Sequence, residues 1–550
     1  MQGNRHSQVA TPAQSHSAGG VKGVCSTQIG RSAGAIALIS AVGAVFGFLT
    51  QALLALLFGA GRDMDCFLVA STLPLLVLSV FSGAVTYAFM PVFMESRSQG
   101  EGHKAWIIAG NLLYLSMLGL LGVAALLSLW SSQLVGWMAP GLSAEAHAKA
   151  WQLLRIQSWS IPIAGTAALL GTILYAEKMF LVPALAALLN SAVICLAVWA
   201  LAGGYGITVV AWSTLAGSAA NLLLLVPHIL RHTRLRMRID LHDAMTGRVL
   251  KLMLPLLIGA VFYRADSLIQ RYLASDLPAG GISYLGYAAK LVMTTTGLLA
   301  AGLPVVSLAY YADLVNSRNY AGLVATFSSA YAMLSSLALL VLALFVLAGA
   351  DALTLLFQRG SFDEVAVRQT WLAMLCYAGV LYAGLVGSVV TPIFYAYKDS
   401  VTCVLIGVGG ALLQIALSVP LLGALSFLGL ALAYSCSNLI TILVFLVVLN
   451  HKYVPLPVAE LAGKFVRQVA VAAGVTMLFW LIRQSFLAHL SPLVRVLVLT
   501  PLVTVSYFSV GMLVFPAEVR FLLALWPYRV GRIGLFQARV RQFVQGMFCR

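Results

Sequence analysis

The sequence predicts an all-α polytopic membrane protein with about fourteen transmembrane helices, in two six-helix lobes related by a pseudo-two-fold axis plus a C-terminal helix pair. The 550 residues are 61% hydrophobic and only 9% are Asp, Glu, Lys or Arg, whereas about a quarter of a soluble chain is charged. A bilayer accepts only helices or closed barrels, and these apolar runs are about twice as long as the ten-residue strands of a barrel. Helices are therefore expected.

The hydropathy pattern divides the chain into five segments. Residues 1–32 are polar and are predicted to form a disordered cytoplasmic tail, with no cleaved signal expected. Residues 33–245 hold spans one to six, 246–455 hold spans seven to twelve, and 456–515 hold spans thirteen and fourteen. The predicted spans cover about 33–58, 65–93, 105–130, 151–175, 180–201, 207–230, 249–274, 281–310, 322–348, 366–395, 400–421, 424–449, 465–486 and 492–515.

Lysine and arginine are concentrated in alternate loops, which predicts that both termini are cytoplasmic. The richer set of loops holds Arg97, Lys104, Lys178, Arg231, Arg248, Arg318, Lys398, Lys452 and Lys464, whereas the other set holds little beyond Arg62, Lys149, Arg359 and Arg483. Residues 516–550 add six arginines between apolar residues at helical spacing. This segment is predicted to be an amphipathic helix that contacts anionic membrane lipids rather than nucleic acid.

A weak internal repeat supports the division into two lobes. The stretch "DCFLVASTLP" (Asp65–Pro74) opens span two, and "SYLGYAAKLV" (Ser283–Val292) opens span eight six spans later. Repeats of six spans are typical of transporters. Spans thirteen and fourteen fall outside the repeat.

Charged residues inside the spans are the candidates for function, because a charge in the bilayer is costly. Span seven contains "FYRADSLIQRYLASD" with Arg264, Asp266 and Arg271, and span eight contains Lys290. One interpretation is an interhelical salt bridge to an acid elsewhere. The other is a cationic stripe that faces an aqueous cavity and receives an anion such as a phosphate. The scarcity of intramembrane acids, with Asp65 and Asp266 as the two recognised, favours the second.

Asp65 near the start of span two has two interpretations. It is an interfacial helix N-cap, or it is a carboxylate that gates or couples transport. From these residues alone the N-cap is slightly favoured. Prolines within the spans, such as Pro74, Pro255 and Pro304, predict kinked helices of the kind that alternating access uses.

No catalytic constellation is visible, which favours transport over enzymatic activity. The chain has no P-loop and no HExxH- or DxD-like cluster, and its seven cysteines are scattered without a metal-binding spacing. We therefore expect a transporter with no cofactor and no metal, coupled to the membrane potential or to an ion.

Several motifs together resemble the MurJ/MviN family of lipid II flippases, within the multidrug/oligosaccharidyl-lipid/polysaccharide exporter superfamily. The resemblance extends from about residue 35 to 515. The motifs are "LFGAGRDMDCFLVASTLP" (Leu57–Pro74), "ILYAEKMFLVPALAALLN" (Ile173–Asn190), "ASDLPAGGISYLGYAAKL" (Ala274–Leu291), "LLFQRGSFD" (Leu355–Asp363) and "FYAYKDS" (Phe394–Ser400). The last two are the most specific.

The resemblance implies alternating access in the bacterial inner membrane, with spans one, two, seven and eight around a cationic cavity. The substrate class would be an undecaprenyl-diphosphate-linked glycan, moved to the outer leaflet, with its lipid tail beside spans thirteen and fourteen. Asp65 matches the family's functional aspartate, which raises the gating interpretation above the N-cap. Lys290 matches a functional arginine. Conformational or structural roles are implied for Asn190, Arg359 and Asp399.

The sequence also departs from the family pattern, and this keeps alternatives open. Span one, "GFLTQALLALLFGAG" (Gly47–Gly61), has no arginine, and span two lacks arginines around Leu78 and Ser79. Arg264, Lys290 and Arg271 are therefore expected to bind the diphosphate, with Asp65 and Asp266 as gating or coupling carboxylates. The alternatives are a flippase for an exopolysaccharide repeat unit and, less favoured, a drug or cation exporter. Envelope-synthesis enzymes are candidate partners.

Overall fold

The computed structural model describes residue 39 and residues 42–98, 102–177, 179–232, 244–263, 266–301, 303–487 and 489–516. These residues form helices joined by turns and short loops. Eleven of the helices are long and apolar enough to span a membrane, and Val42–Phe58 is a shorter apolar helix. Spans seven and eight, each of which is described as two shorter helices, complete the fourteen predicted positions. The predicted tails, Lys178 and Arg264 lie outside the described residues, apart from residue 516.

The first lobe consists of spans one to six. Its spans are α1 (Val42–Phe58), α2 (Arg62–Ser98), α3 (Gly102–Leu129), α5 and α6 (Ala144–Ser158 and Ser160–Ala176), α7 (Leu181–Tyr205) and α8 (Thr208–His232). A short helix, α4 (Ser131–Met138), lies in the loop before span four.

The second lobe consists of spans seven to twelve and is followed by a helical hairpin. Its spans are α9 and α10 (Ala244–Tyr263 and Asp266–Ala274), α11 and α12 (Gly281–Leu299 and Leu303–Asn316), α13 (Tyr320–Phe357), α14 and α15 (Glu364–Cys376 and Ala378–Ala396), α16 (Ser400–Leu425) and α17 (Phe427–Lys452). The hairpin is α18 (Val458–Ile482), a π-helical turn (Arg483–Leu487) and α19 (Pro492–Val514).

Spans four and ten share a local architecture, as the pseudo-two-fold repeat requires. The Ser143 side chain accepts a hydrogen bond from the Ala146 N–H at the start of α5, and the Asp363 side chain accepts one from the Ala366 N–H at the start of α14. These are N-caps, which satisfy amides that have no partner within the helix. Each span is then interrupted after about four turns, so the two lobes repeat both the cap and the interruption.

The turns that follow spans four and ten also repeat. They carry "YAEKM" (Tyr175–Met179) and "YAYKD" (Tyr395–Asp399). In the first turn the Met179 N–H donates to the Leu174 carbonyl, and in the second the Asp399 N–H donates to the Phe394 carbonyl, both at 2.9 Å. This six-to-one hydrogen bond is characteristic of a Schellman-type helix end. The repeat is therefore clearer in these turns than in the stretches that open spans two and eight.

The first half of span seven packs against the first lobe. Val249 and Met253 of α9 are buried in one hydrophobic cluster with Phe89, Phe93 and Ile108. At the same end, the Asn111 amide donates to the Thr246 hydroxyl at 3.2 Å. The sequence places span seven in the second lobe, so α9 lies across the boundary between the two halves.

The C-terminal hairpin is attached to α13 by hydrogen bonds within the membrane region. The Gln468 side-chain amide donates to the Ala332 carbonyl at 2.8 Å. The Tyr507 hydroxyl lies 3.1 Å from both the hydroxyl and the carbonyl of Ser336. Within a membrane the hydrophobic effect does not drive helices together, so hydrogen bonds of this kind stabilise helix association. The hairpin is thereby fastened to span nine of the second lobe.

Candidate functional site

Asp65 connects the two lobes through hydrogen bonds to the start of α11. Its carboxylate is buried and accepts from the Gly280 N–H at 2.7 Å, the Ser283 N–H at 2.7 Å and the Ser283 hydroxyl at 2.5 Å. A helix N-terminus favours a negative charge because its first amides are unpaired and its dipole is positive. Asp65 therefore caps a helix of the opposite lobe rather than its own. We call Asp65, Gly280 and Ser283 the inter-lobe latch.

The latch requires glycine at position 280. Gly280 has φ +95°, in the left-handed region, and a Cβ on it would lie 2.5 Å from the Ala60 carbonyl oxygen of the first lobe. A side chain would be strained by the backbone conformation and would push the Ala60 loop away. The loop after span one can approach α11 because residue 280 is a glycine and has no Cβ.

Other loops close the same end of the molecule. The Ser361 N–H donates to the Leu56 carbonyl at 3.0 Å, and the Tyr287 hydroxyl donates to the Gly59 carbonyl at 3.2 Å. The Gly141 N–H donates to the Ser275 hydroxyl at 3.2 Å. We call this region, formed by residues 59–61, 130–143, 275–280 and 358–363, the closed end. Each of these bonds joins a residue of the first lobe to one of the second.

The latch brings together positions that are equivalent in the internal repeat. Asp65 and Ser283 are the first residues of the two repeated stretches, and their side chains are hydrogen-bonded to each other. Two equivalent positions meet in this way only near the axis that relates the repeats. The latch therefore lies beside the pseudo-two-fold axis, where a change in the angle between the lobes acts on it directly.

One turn beyond the latch, spans two and eight are still in contact. A Cβ on Gly286 would lie 2.7 Å from the Leu68 Cδ1, so the two helices touch there. One turn further along α11, Lys290 is exposed, and on α2 the side chain of Leu75 is 63% exposed. Lys290 is seven residues from Ser283, hence on nearly the same face and about 10 Å deeper. Lys290 therefore lies on the face of α11 that is turned towards span two, and we call the space between the lobes on this face the gap.

Arg271, the third predicted diphosphate-binding residue, lies at the closed end. It is half-buried on α10, and its Nη1 donates to the Ile282 carbonyl at 3.5 Å, next to the Ser283 amide that Asp65 holds. Arg271 is therefore near the latch, whereas Lys290 is near the gap. Asp266 begins α10, and its side chain lies outside the described residues, as does all of Arg264.

The three residues with predicted conformational roles are placed apart from one another. Asn190 packs against α8, where a Cβ on Gly217 would lie 2.6 Å from the Asn190 Oδ1. Arg359 is exposed at the closed end. Asp399 lies at the opposite end, where it caps α16. None of the three contributes to the latch.

Asp399 ties the turn after span ten to the end of span twelve. Its carboxylate accepts from the Thr402 N–H at 3.0 Å, from the Lys452 ammonium at 2.6 Å, and from the Tyr453 hydroxyl. The hydrogen bonds from Lys452, Thr402 and Tyr453 hold the pKa of Asp399 well below its ordinary value. The arrangement is a structural clamp within the second lobe.

Asp351 is a buried acid that the sequence analysis did not identify. The predicted span nine ends at residue 348, but α13 continues to Phe357 and includes Asp351, which is buried. Its carboxylate pairs with the Arg483 guanidinium at 3.0 Å and with the Arg495 guanidinium at 2.9 Å. A signal was present, since Asp351 interrupts the apolar run "VLAGADALTLLF".

Comparisons of the sequence with a family model and with curated relatives agree on one family. The family model described as "Lipid II flippase MurJ" matches residues 54–500. A probable lipid II flippase MurJ of Vibrio cholerae is 26% identical over 416 residues, which cover 73% of this chain and 79% of the relative. A lipid II flippase MurJ of Burkholderia cenocepacia is 28% identical over 389 residues, covering 66% and 73%.

Solved structures share the fold. A structure described as "Lipid II flippase MurJ, inward closed conformation" aligns with a TM-score of 0.74 at 20% identity and covers 89% of this chain and 99% of that chain. An inward-facing multidrug transporter of the MATE family aligns with a TM-score of 0.65 at 14% identity, covering 74% and 92%. At these identities the likeness concerns the fold.

Proposed function

Since the chain belongs to the lipid II flippase MurJ family, and is thus a multi-pass membrane transporter rather than an enzyme, we propose that it moves an undecaprenyl-diphosphate-linked glycan precursor across the bilayer. The proposed direction is from the inner to the outer leaflet, by alternating access. The main support for the proposal is the position of Lys290 relative to the latch. Asp65 joins the lobes at one end of the molecule, and Lys290 is exposed in the gap beyond it.

The distribution of cations supports an assignment of the closed end to the outer face. Among the described residues, the end opposite the latch holds more lysine and arginine than the closed end. Under the positive-inside rule, the opposite end is cytoplasmic. The gap that exposes Lys290 would then open towards the cytoplasm, where a lipid-linked precursor is made available to it.

In the proposed mechanism the diphosphate enters the gap and binds the Lys290 ammonium. A positive charge in a cleft attracts anions, so a substrate that supplies two phosphate charges is preferred over a neutral lipid. Arg264 belongs to the same proposed site, and Arg271 would receive the diphosphate as it nears the outer face. Asp65 and Asp266 are the proposed gating or coupling carboxylates, with the membrane potential or an ion as the energy source.

The proposal is tested in cells depleted of their own lipid II flippase. The wild-type chain is expected to restore growth and lipid II translocation, Lys290→Arg to retain most of this activity, and Lys290→Gln to lose at least tenfold. Lys149→Gln is the matched control, because Lys149 pairs with Asp63 on the surface of the first lobe at 2.5 Å. Full activity of Lys290→Gln at normal expression would contradict the cationic site.

An exopolysaccharide repeat unit on polyprenyl diphosphate is the second candidate substrate. The observation that favours it is the uncharged first-lobe wall of the gap, where α1 carries no arginine and Leu75 is exposed on α2. Failure to rescue lipid II translocation, together with Lys290-dependent export of a polysaccharide in the native host, would favour this substrate.

A further inference from the structure

We propose that a cavity between α13, α18 and the turn before α18 binds the headgroup of an aminophospholipid such as phosphatidylethanolamine. The cavity has a volume of about 600 Å³, and its walls include Val324, Ala325, Ser328, Pro457, Glu460 and Lys464. It lies at the end of the molecule opposite the latch and is separate from the gap that exposes Lys290. The proposal does not depend on the transported substrate.

The cavity is a wedge between two membrane-spanning helices. It extends along α13 from Tyr320 to Ser329, a length of about 13 Å at 1.5 Å per residue. Further along, the wedge closes, because the Gln468 amide of α18 donates to the Ala332 carbonyl of α13 at 2.8 Å. The wide end therefore lies where the two spans begin, at the level expected for lipid headgroups.

The charges on the wall form a dipole that matches a zwitterion. The Glu460 carboxylate and the Lys464 ammonium are 2.7 Å apart on adjacent turns of α18. Glu460 is the more exposed of the two, with 57% of its side chain accessible against 22% for Lys464. A headgroup ammonium can donate to the Glu460 carboxylate while the phosphate accepts from Lys464. An anionic headgroup without an ammonium would satisfy only Lys464 and would lie against Glu460.

Ser328 supplies a further polar group at the depth of the phosphate. Its side chain is 7% exposed, and its hydroxyl has no hydrogen-bond partner within the part of the chain that the structure describes. A buried hydroxyl without a partner costs about 1–3 kcal/mol. A phosphate or ester oxygen of a lipid in the cavity would accept this hydrogen bond. The apolar Val324 and the small Ala325 beside it leave room for the glycerol and the first acyl carbons.

The chemistry of the site distinguishes three common headgroups. Phosphatidylethanolamine offers an ammonium with three N–H donors and a phosphate. Phosphatidylglycerol has a phosphate and two neutral hydroxyls but no ammonium, and phosphatidylcholine has a quaternary ammonium that cannot donate a hydrogen bond. Because charge-assisted hydrogen bonds are the strong ones, we expect binding in the order ethanolamine, choline, glycerol.

The test is native mass spectrometry of the purified full chain in detergent with each of the three lipids. Phosphatidylethanolamine should remain bound about tenfold better than phosphatidylglycerol, and Glu460→Gln should remove this preference. Ala325→Leu narrows the cavity and should reduce retention of phosphatidylethanolamine several-fold. Thr326→Leu is the matched control, since Thr326 is exposed on α13 beside Ala325 but outside the cavity wall.

A soluble competitor separates a lipid site from a site for free phosphate. Inorganic phosphate at millimolar concentration should leave the bound lipid in place, because it lacks the ammonium and the acyl chains. Equal retention of phosphatidylglycerol and phosphatidylethanolamine by the wild type would overturn the proposal. Displacement of the bound lipid by inorganic phosphate would also overturn it. Equal loss of lipid from the Ala325→Leu and Thr326→Leu variants would do the same. Ser328→Ala, which creates no clash, provides a second variant if Ala325→Leu does not fold.

Discussion

Replacing Asp65 with Asn should open the closed end, and the structure gives the size of the effect. The Asp65 carboxylate accepts three hydrogen bonds, two from amides at 2.7 Å and one from the Ser283 hydroxyl at 2.5 Å. Each hydrogen bond to a charged group contributes about 1.5–3 kcal/mol net. Asn keeps one acceptor oxygen but places an NH₂ donor against an amide donor, so at least one bond is lost.

The expected destabilisation of the latched state is about 2–4 kcal/mol, which also includes the lost charge at the α11 N-terminus. At about 1.4 kcal/mol per tenfold change, the ratio of latched to unlatched molecules should fall roughly 30- to 700-fold.

Spin labels at Glu145 and Glu364 report the opening. Both residues are exposed in the first turn of repeat-related helices, one in each lobe at the closed end. Labelling requires a background in which the native cysteines have been replaced. Pulsed EPR should show one short-distance population for the latched protein and an added longer one for Asp65→Asn.

Asp63→Asn is the matched control. Asp63 lies in the same turn of α2, but it pairs with Lys149 at the surface of its own lobe, where both side chains are 42% exposed. It should leave the distance distribution unchanged. Identical distributions for Asp65→Asn, Asp63→Asn and the parent protein would refute the assignment of Asp65 as a latch.

Three further substitutions test other parts of the structure. Gly280→Ala should produce the same EPR change as Asp65→Asn, because its Cβ would lie 2.5 Å from the Ala60 carbonyl oxygen; an unchanged distribution would contradict this. Asp399→Asn should lower the midpoint of thermal unfolding by several degrees, since it weakens an N-cap and an ion pair with Lys452; Glu95→Gln at the same end is the control. Asp351→Asn should expose the C-terminal hairpin to limited proteolysis, since breaking a buried ion pair costs about 3–5 kcal/mol; unchanged cleavage would show that the pair is dispensable.

The spans could be predicted from the sequence because each requires about twenty apolar residues and the linkers are short. Their ends were harder to place. Span nine continues past its predicted end and includes Asp351, because a single acid in an apolar run lowers the window average without ending the helix. The turn at residues 300–301, which interrupts span eight, lies three residues before Pro304, one of the prolines that predict kinked helices.

The candidate site could be predicted only in part. Asp65 and Lys290 were identified as residues of interest, but the partner of Asp65 is a pair of backbone amides more than two hundred residues away. No local pattern encodes that contact. The internal repeat did carry the information, because Asp65 and Ser283 occupy equivalent positions and equivalent positions meet at a two-fold axis. The role of Arg271 beside the latch depends on how α10 packs, which charge spacing does not determine.

The use of backbone amides in the latch has a consequence for how such a protein evolves. Every residue except proline carries an amide N–H, so the sequence around Ser283 can drift while two of the three donors to Asp65 persist. Selection would then act on the aspartate and on the glycine at 280, and not on a matched pair of side chains. Methods that infer contacts from correlated substitutions would find little signal between Asp65 and the helix it holds, even though this contact joins the two halves of the molecule.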